Sequence, residues 1–391
     1  MRRLGVLFVG LGGATASTAA AGAIAMAAGA AEVEFGATSD AAFENLDLLS
    51  PTEMQFGGWD FAGGTLLDAV RRQDLVGREL VDEVEDRLAA VPILPGFHTA
   101  LDIPLEEAHH DVHEARSVRA IVEGVQRDIV GFRDDNELEE IVVVYAASPP
   151  RSFQPSDNPD PDFADDRENE SLPASVLYAG GAALAGAHFI DFTPSETLEL
   201  QALHALAAEH GIQLAGRDGS TGQTMLKMTL GELLRNRRLR VRSWYSTNLI
   251  GNHDGYVLSL PGHDTVKLRD KTDGLSEVLG YGDFEHLVRI EYLRRYGDDK
   301  HAWDSIECDG WLGSRLQISI DWRGQDSFLA APLVLDLCRL VEYGSRFDLS
   351  GIQPQLGWFF KRPLGSDVLS PSVTFERMVH FYRGLAERPS E

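Results

Sequence analysis

The sequence has only two cysteines, Cys308 and Cys338, and far fewer basic than acidic residues. So few thiols exclude a disulfide framework and a thiolate metal site, and they are typical of a reducing compartment. The formal net charge of −26 argues against nucleic acid as a partner, because a phosphate backbone repels such a surface. We therefore expect a cytoplasmic protein that does not bind nucleic acid.

No apolar run is long enough for a membrane span, which needs about 20 uninterrupted residues. The alanine-rich stretch after Arg2 and Arg3 shares the composition of a secretory signal, but Gly10-Leu-Gly-Gly13 interrupts it. We interpret Leu4–Val9 as a buried strand and residues 15–28 as a helix packed beside it. Strand, glycine turn and helix together form the first unit of a dinucleotide-binding fold. We therefore expect neither a signal peptide nor a membrane partner.

The pattern of apolar residues divides the chain into two regions. Up to about residue 224 strands and helices alternate, and residues 140–147 are almost wholly apolar, as a strand covered on both faces must be. Residues 64–90 have the apolar spacing of a helix. Residues 225–326 contain strand-like segments of mixed burial, which suit a sheet packed on one face. These segments are residues 240–245, 287–292 and 316–321, and an apolar helix follows at residues 327–340.

Three motifs in the first region indicate a ligand site. Gly10-Leu-Gly-Gly13 is a tight turn after a strand, which is a weak signal by itself. Gly58-Trp-Asp60 precedes a helical segment with a long polar face. Ala146-Ala-Ser148 ends the most apolar strand, at the place where a doubly wound sheet binds its ligand. Together they favour a bound dinucleotide.

The second half of the chain carries the signals for a substrate site. Gly216–Thr224 has small residues and a Gln-Thr pair, which suit a turn that wraps an anion with backbone N–H groups. Asn248, Asn252 and Asp254 lie in a glycine-bearing segment and are able to hold the hydroxyls of a sugar-like ligand. In an otherwise acidic protein, four lysines are what a phosphate and a developing enolate require. They are Lys267, Lys271, Lys300 and Lys361.

Together these segments resemble the myo-inositol-1-phosphate synthase family (the inositol-3-phosphate synthases), of which the sequence looks like a divergent member. The resemblance implies an α/β fold: a doubly wound NAD-binding Rossmann domain with an inserted α+β catalytic and oligomerisation domain. Residues 1–224 would form the first domain, completed by residues 327–391, and residues 225–326 would form the second. The family assembles as tetramers, so the resemblance also implies a homotetramer.

The resemblance assigns roles to particular residues. The catalytic set is Lys267, Lys271, Lys300 and Lys361. Residues implied to bind NAD are Gly10, Gly12, Gly13, Ala14, Thr15, Asp60, Ala146, Ala147, Ser148, Asp218, Asp298 and Asp326, with Asp60 accepting hydrogen bonds from a ribose. Residues implied to bind a sugar phosphate are Thr221, Gly222, Gln223, Thr224, Asn248, Ile250, Asn252 and Asp254.

The reaction implied by the resemblance is the cyclisation of glucose 6-phosphate to inositol phosphate. It consists of oxidation at C5 by NAD, loss of the C6 proton, attack of the enolate on the C1 aldehyde, and re-reduction. Lys271 would act on the C5 oxygen. Lys267, Lys300 and Lys361 would share phosphate binding, enolisation and polarisation of the aldehyde.

Two departures from the family pattern keep a related activity open. Arg217 stands where the family usually has an acid, and Ser220 stands where it has a lysine. A specialised cyclitol-phosphate synthase, taking fructose 6-phosphate to a five-membered carbocycle, is the alternative. An NAD-dependent dehydrogenase with net redox and a non-catalytic metabolite-binding protein are disfavoured by the four lysines.

One group of histidines resembles a metal site in its residue types and spacing. His109, His110 and His113 stand beside Glu114, and the first and third histidines are spaced four residues apart. A second segment with further ligands is missing, so we predict no metal. The basic run Arg235–Arg242 is interpreted as a solvated or subunit-facing edge.

Overall fold

The computed structural model describes residues 2–33, 36–102, 112–150, 153–155, 160–169, 171–252, 255–256 and 274–388. These ranges form two sheets. The strands are β1 (Leu4–Val9), β2 (Met54–Asp60), β3 (Leu94–Pro95), β4 (Glu140–Tyr145), β5 (His188–Asp191), β6 (Gln213–Gly216), β7 (Arg240–Ile250), β8 (Glu285–Tyr292), β9 (Asp299–Asp309), β10 (Arg315–Gln325) and β11 (Gly351–Ile352).

The α-helices lie mainly between the strands of the first region and after those of the second. They are α1 (Ala14–Ala28), α2 (Leu66–Gln73), α3 (Arg78–Glu83), α4 (Glu85–Ala89), α5 (Val118–Asp135), α6 (Ala174–Leu184), α7 (Gln201–His210), α8 (Gly222–Asn236), α9 (Asp326–Ser345) and α10 (Pro371–Ala386). None of the helices in the described ranges is long and apolar enough to cross a membrane.

The large sheet has seven strands in the order β11-β6-β5-β4-β1-β2-β3, and all of its neighbours are parallel. Every residue of β1 is buried, because helices cover both faces of the sheet. One face packs against α1, α9 and α10, and the other against α5, α6 and α7. The strand order reverses between β1 and β4. A doubly wound sheet binds its ligand at such a switch point.

The small sheet has the order β10-β9-β7-β8 and is mixed. β7 and β8 are parallel, whereas β9 is antiparallel to both β7 and β10. Residues of β9 alternate in burial, so that Ala302, Asp304 and Ile306 face inward while Trp303 is more exposed. The inward face packs against α8, with Leu234 and Trp244 in the shared core.

The structure confirms the predicted fold class and corrects two local predictions. The single helix expected at residues 64–90 is wrong: the segment forms α2, α3 and α4. Asp74 ends α2 in the left-handed conformation, and Gly77 precedes α3. The apolar helix expected at residues 327–340 continues to Ser345 and contains Pro332 in its interior. The domain boundaries at 224/225 and 326/327 stay a prediction.

Candidate active site

A cavity of about 460 Å³ opens at the carboxyl ends of the strands of the large sheet. It lies at the switch point between β1 and β4, as expected for this fold. Many of the predicted site residues line it. They are Gly10, Gly12, Gly13, Ala14, Thr15, Asp60, Ala146, Ala147, Ser148, Asp218, Thr221, Asn252, Asp326 and Lys361.

The glycine turn after β1 is held tightly against β2 and the segment after β4. The N–H groups of Gly10 and Leu11 both donate to the carbonyl oxygen of Trp59, at 2.8 and 3.1 Å. Gly10 has φ +93°, and a Cβ there would lie 3.0 Å from the backbone of Ala147. A side chain at this position would therefore clash with backbone that cannot move aside. The turn leaves room for a ligand close to the main chain.

The N-terminus of α1 faces the same cavity. Gly13 is its N-cap and provides no side-chain hydrogen bond to the first turn. The first N–H groups of a helix lack partners within the helix, and they attract an anion such as a dinucleotide phosphate. The turn and this helix end therefore fit NAD.

Asp60 ends β2 beside the glycine turn. Its Oδ2 accepts a hydrogen bond from the Gly12 N–H at 2.9 Å, and its Oδ1 accepts from Phe61 and Ala62. It does not cap the next helix, because Thr65 caps α2 in a reciprocal arrangement with Asp68. An acid at the end of the second strand is where a Rossmann fold holds the cofactor ribose.

Sequence reasoning missed two residues of α2 whose side chains contact the glycine turn. Gln73 donates to the Gly12 carbonyl oxygen at 2.7 Å, and Arg72 approaches the same oxygen at 3.4 Å. Both line the cavity. The polar face of the helix after Gly58-Trp-Asp60 was the available signal, but its register against Gly12 depends on the tertiary fold.

Two candidate catalytic lysines are held by two predicted acids. The Lys361 Nζ donates to Asp218 Oδ1 at 2.7 Å, and the Lys300 Nζ donates to Asp326 Oδ2 at 2.7 Å. Lys300 also lies 5.9 Å from the ring centre of Trp322, a cation–π distance. Both lysines are therefore fixed in direction by partly buried ion pairs. Lys267 and Lys271 lie outside the described residues, as does Asp254.

Asp298 is buried and holds two residues that line the cavity, Asn252 and Ser327. It accepts hydrogen bonds from the Asn252 side chain at 2.9 Å and from both the backbone and the hydroxyl of Ser327. Burial raises the pKa of Asp298, its hydrogen bonds oppose that shift, and the negative charge of Asp326 adds to it. Asp298 thereby ties Asn252 to the start of α9.

The predicted substrate turn forms the start of α8. Thr221 is the N-cap and gives no side-chain hydrogen bond, so the N–H groups at this helix end are uncapped by a side chain. Gly222 has φ +48°, and a Cβ there would lie 2.9 Å from both Asp326 Oδ1 and the Trp322 ring. The turn is thus packed against the groups that hold Lys300. Gln223 and Thr224 follow in the first turn and are buried.

Asn248 is buried on the inward face of β7, opposite Ala302 in the sheet register. Neither its side-chain oxygen nor its nitrogen has a hydrogen-bond partner within the described part of the chain. Buried amide groups nearly always have a hydrogen-bond partner, and an exception calls for a specific explanation, such as a catalytic role or a bound water or ion. Ile250, two residues further along β7, is also buried.

The two departures from the family pattern do not add a cation to the cavity lining. Arg217 is nearly buried and bonds to Glu196 at 3.1 Å and to Glu199 at 3.3 Å. Its charge is therefore neutralised within the surrounding loop. The Ser220 N–H donates to the Phe359 carbonyl oxygen at 2.8 Å.

Within the ranges that the structure describes, no group of three or more His, Cys, Asp or Glu could hold a metal ion. The ring of His113 stacks on Phe97 with centres 4.4 Å apart, and Glu114 is exposed. His109 and His110 lie outside the described residues.

Comparisons with known proteins point to one family. An NAD-binding family model described as myo-inositol-1-phosphate synthase matches residues 4–379. Inositol-3-phosphate synthase 1 of Bacteroides thetaiotaomicron is 30% identical over 388 residues, covering 93% of this chain and 90% of that protein. The Saccharomyces cerevisiae inositol-3-phosphate synthase is 27% identical, over 79% of this chain and 62% of the yeast protein.

The fold agrees with a solved member of the same family. The inositol-3-phosphate synthase of Caenorhabditis elegans superposes with a TM-score of 0.86 at 24% identity, covering all of this chain and 87% of that one. The family match spans nearly the whole chain, and the glycine turn, the first turn of α1 and Asp60 suit the cofactor. The chain belongs to the myo-inositol-1-phosphate synthase family, and it is an enzyme of that family with NAD as its cofactor.

Proposed function

We propose that the protein cyclises glucose 6-phosphate to myo-inositol 1-phosphate, by internal oxidation, enolisation, intramolecular aldol closure and re-reduction. One observation carries the proposal. Lys361 and its partner Asp218 line the cavity that the glycine turn also lines, and Lys300 donates to Asp326, another residue of that lining. The names of the relatives point to the same reaction.

The glycine turn at residues 10–15, Asp60, residues 146–148 and Asp326 would hold NAD along the cavity. Bound there, NAD supplies a hydride acceptor for the oxidation and a hydride donor for the re-reduction. Asp60 accepts an N–H from the turn and lines the cavity, and we propose that its carboxylate also accepts a hydrogen bond from a ribose hydroxyl. A glycine at position 10 is required here, because a Cβ would lie 3.0 Å from the backbone of Ala147.

Lys300 and Lys361 would stabilise the oxyanions that develop on the substrate. An ammonium group has three N–H donors. Since each lysine donates one of them to a carboxylate at 2.7 Å, two remain for substrate oxygens in a fixed direction. Preorganised donors of this kind give the largest single contribution to catalysis in many enzymes. We propose that Lys271 acts on the C5 oxygen and that Lys267 shares phosphate binding and enolisation.

The turn at residues 221–224 and two asparagines would orient the sugar phosphate. The uncapped N–H groups at the start of α8 suit the phosphate. Asn252 is fixed by Asp298. Within the described part of the chain, neither side-chain amide atom of Asn248 has a hydrogen-bond partner, so both are available to substrate hydroxyls. We therefore propose that the start of α8 binds the phosphate and that the two asparagines bind the sugar hydroxyls.

The test is incubation of the purified protein with NAD and either glucose 6-phosphate or fructose 6-phosphate. We expect phosphorus NMR and mass spectrometry to detect inositol phosphate from glucose 6-phosphate, without accumulation of NADH. Cyclisation of fructose 6-phosphate alone would replace the proposed substrate. Accumulation of NADH without a cyclic product would indicate a simple dehydrogenase.

We further propose that the protein is a homotetramer in which the small sheet contributes to subunit contacts. The turn between β9 and β10 presents Trp311 and Leu312, each 84% exposed, and Leu287 is exposed on β8. Contiguous exposed apolar patches mark interaction surfaces, and we propose that these side chains belong to one. Light scattering after size exclusion should give the mass of four chains. A monomer at micromolar concentration would contradict the proposal.

A further inference from the structure

The chain has five lysines against 30 arginines. Four of the five are the candidate catalytic lysines, and the fifth is Lys227 on α8. Arginine serves as the cation everywhere else in this sequence. Lysine differs from arginine by its compact charge and flexible stem, so a position that keeps lysine in such a sequence is one that needs these properties.

Lys227 is not on the surface. It is 3% exposed, and its Nζ lies 3.8 Å from Asp304 Oδ1, 3.4 Å from His286 Nε2 and 5.8 Å from the ring centre of Trp244. Burial lowers the pKa of Lys227 to about 8, Asp304 opposes that shift, and the positive charge of Lys300 adds to it. The charge of Lys300, a candidate catalytic lysine, therefore influences the protonation of Lys227.

Asp304 joins three elements of the fold. Its Oδ2 accepts a hydrogen bond from the Gln223 Nε2 at 2.9 Å, and its Oδ1 accepts from the Trp244 Nε1 at 2.8 Å and from the Ser246 hydroxyl. Gln223 belongs to the first turn of α8, and both Trp244 and Ser246 belong to β7. The carboxylate thus ties the substrate turn to the inward face of the small sheet.

The position of Asp304 along β9 relates this network to the active site. Residues facing inward on a strand alternate, so Asp304, Ala302 and Lys300 follow one another on the same face. Anything that moves the start of α8 relative to β9 therefore moves Gly222 relative to Lys300 and Asp326. Gly222 faces Asp326 and Trp322 so closely that a Cβ there would lie 2.9 Å from both side chains, so a shift of this turn changes its fit against the partner of Lys300.

A buried ion pair adds little to stability by itself, because desolvation offsets the attraction, whereas removing one partner is strongly destabilising. We propose that Lys227 is a fifth functional lysine, a positioning residue that neutralises Asp304 and, through Asp304 and Gln223, holds the substrate turn in register with Lys300. This inference rests on the proposed function for its kinetic consequences. Its structural part does not depend on the substrate.

The test compares Lys227→Met, Asp304→Asn and the double variant with the unmodified enzyme. Each single variant should lower the melting temperature, and Lys227→Met should lower kcat/KM for glucose 6-phosphate about 100-fold, the scale of an error of about 1 Å in placement. The double variant removes both charges, so its melting temperature should recover. Its kcat/KM should stay low, because Gln223 has lost its charged acceptor. Recovery of both quantities would reduce the pair to a structural role and overturn the proposal.

A substrate-independent measurement separates this inference from the proposed function. Hydrogen exchange of peptides covering residues 218–224 should be faster in Lys227→Met and in the double variant. If the unmodified enzyme failed to convert glucose 6-phosphate, faster exchange would still support the positioning role, and unchanged exchange would overturn it. Asp336→Asn is the matched control, a buried acid of α9 that bonds to Thr38. It should lower the melting temperature without changing kcat/KM or this exchange.

Discussion

The two halves of the site differ in the chemical groups that form them. The half at the large sheet consists mainly of glycines, backbone N–H groups and a helix end, with Asp60 as its principal charge. The other half, assigned to the substrate, consists of charged side chains in pairs: Lys300 with Asp326 and Lys227 with Asp304 at the small sheet, and Lys361 with Asp218 beside the large sheet. One half is shaped by steric fit, and the other is shaped by electrostatics.

This difference indicates how each half fails when it is altered. Backbone in close contact cannot accept an added Cβ, so the first half is sensitive to substitution of glycine. Paired charges leave an uncompensated partner when one is removed, so the second half is sensitive to neutralisation. Cofactor affinity should follow the first half, and turnover should follow the second.

The largest expected effect is on turnover, from Lys300→Met or Lys361→Met. Each variant should lower kcat by roughly 100- to 1,000-fold, the typical loss for one donor to an oxyanion. NAD should still bind, because both ammonium groups are assigned to the substrate. Steady-state kinetics and calorimetry with NAD measure the two quantities. Arg323→Met is the control, since Arg323 is an exposed cation of β10. Near-normal turnover in the lysine variants would contradict the separation of the halves.

The next effect is on folding, from Gly58→Ala in the half built from backbone. Gly58 has φ +149°, and a Cβ there would lie 2.1 Å from the carbonyl oxygen of Phe8 in β1. We expect a loss of roughly 3 kcal/mol in the free energy of unfolding, measured by urea titration. Gly77→Ala is the control, because nothing lies within 4 Å of its Cβ position. Equal effects of the two substitutions would contradict the steric argument.

Asp60→Ala should weaken NAD without affecting turnover at saturating cofactor. The loss of a hydrogen bond to a charged group predicts a decrease of about 1.5–3 kcal/mol in binding free energy, measurable by calorimetry. Asp68→Ala is the matched control, because Asp68 is a nearby acid that belongs to the cap of α2. That variant should lower stability by about 1 kcal/mol and leave NAD affinity unchanged. A similar change in NAD affinity for both variants would argue against a direct contact at Asp60.

The smallest effect is a pH dependence from Asp191, a buried charge in the half built from backbone. Burial raises the pKa of Asp191 to about 7, opposed by its hydrogen bonds from Thr193. Because the folded pKa lies above the ordinary value, the stability from this group is full at low pH and is lost as the pH rises through about 7. Asp191→Asn has no ionisable group at this position, so it does not lose this stability as the pH rises. Its melting temperature relative to the unmodified protein should therefore rise between about pH 5 and about pH 8. A constant difference across that range would contradict the assignment.

Short-range patterns in the sequence predicted two strands of the large sheet, β1 and β4, and three strands of the small sheet. β1 begins and ends at Leu4 and Val9 as expected, because an uninterrupted apolar run bounded by a charge and a glycine turn leaves little freedom. The predicted strands at residues 240–245, 287–292 and 316–321 are real but extend further in β7, β8 and β10. Edge residues of a half-exposed sheet are polar, so the apolar pattern underestimates their length.

The strands that sequence reasoning missed have a different cause. β5 and β6 have four residues each, which is too short for a periodic signal. β9 alternates buried residues with mostly charged or polar ones, and one of the buried positions is itself charged. That position is Asp304. A buried charge breaks the pattern by which a strand is recognised, and here it does so because the charge belongs to the network at the site.

The sequence by itself determined the turn after β1, the acid at the end of β2 and the presence of the lysines in an acidic chain. These features depend on sterics and composition within a few residues. Only the tertiary structure decided which acid holds which lysine, since Lys361 pairs with Asp218 across 143 positions and Lys300 with Asp326 across 26. It also decided that Glu196 and Glu199 neutralise Arg217, and that Lys227 lies near enough to Lys300 for their charges to interact. Charges act through space, and the distances between them are set by sheet register and helix packing, which no local pattern specifies.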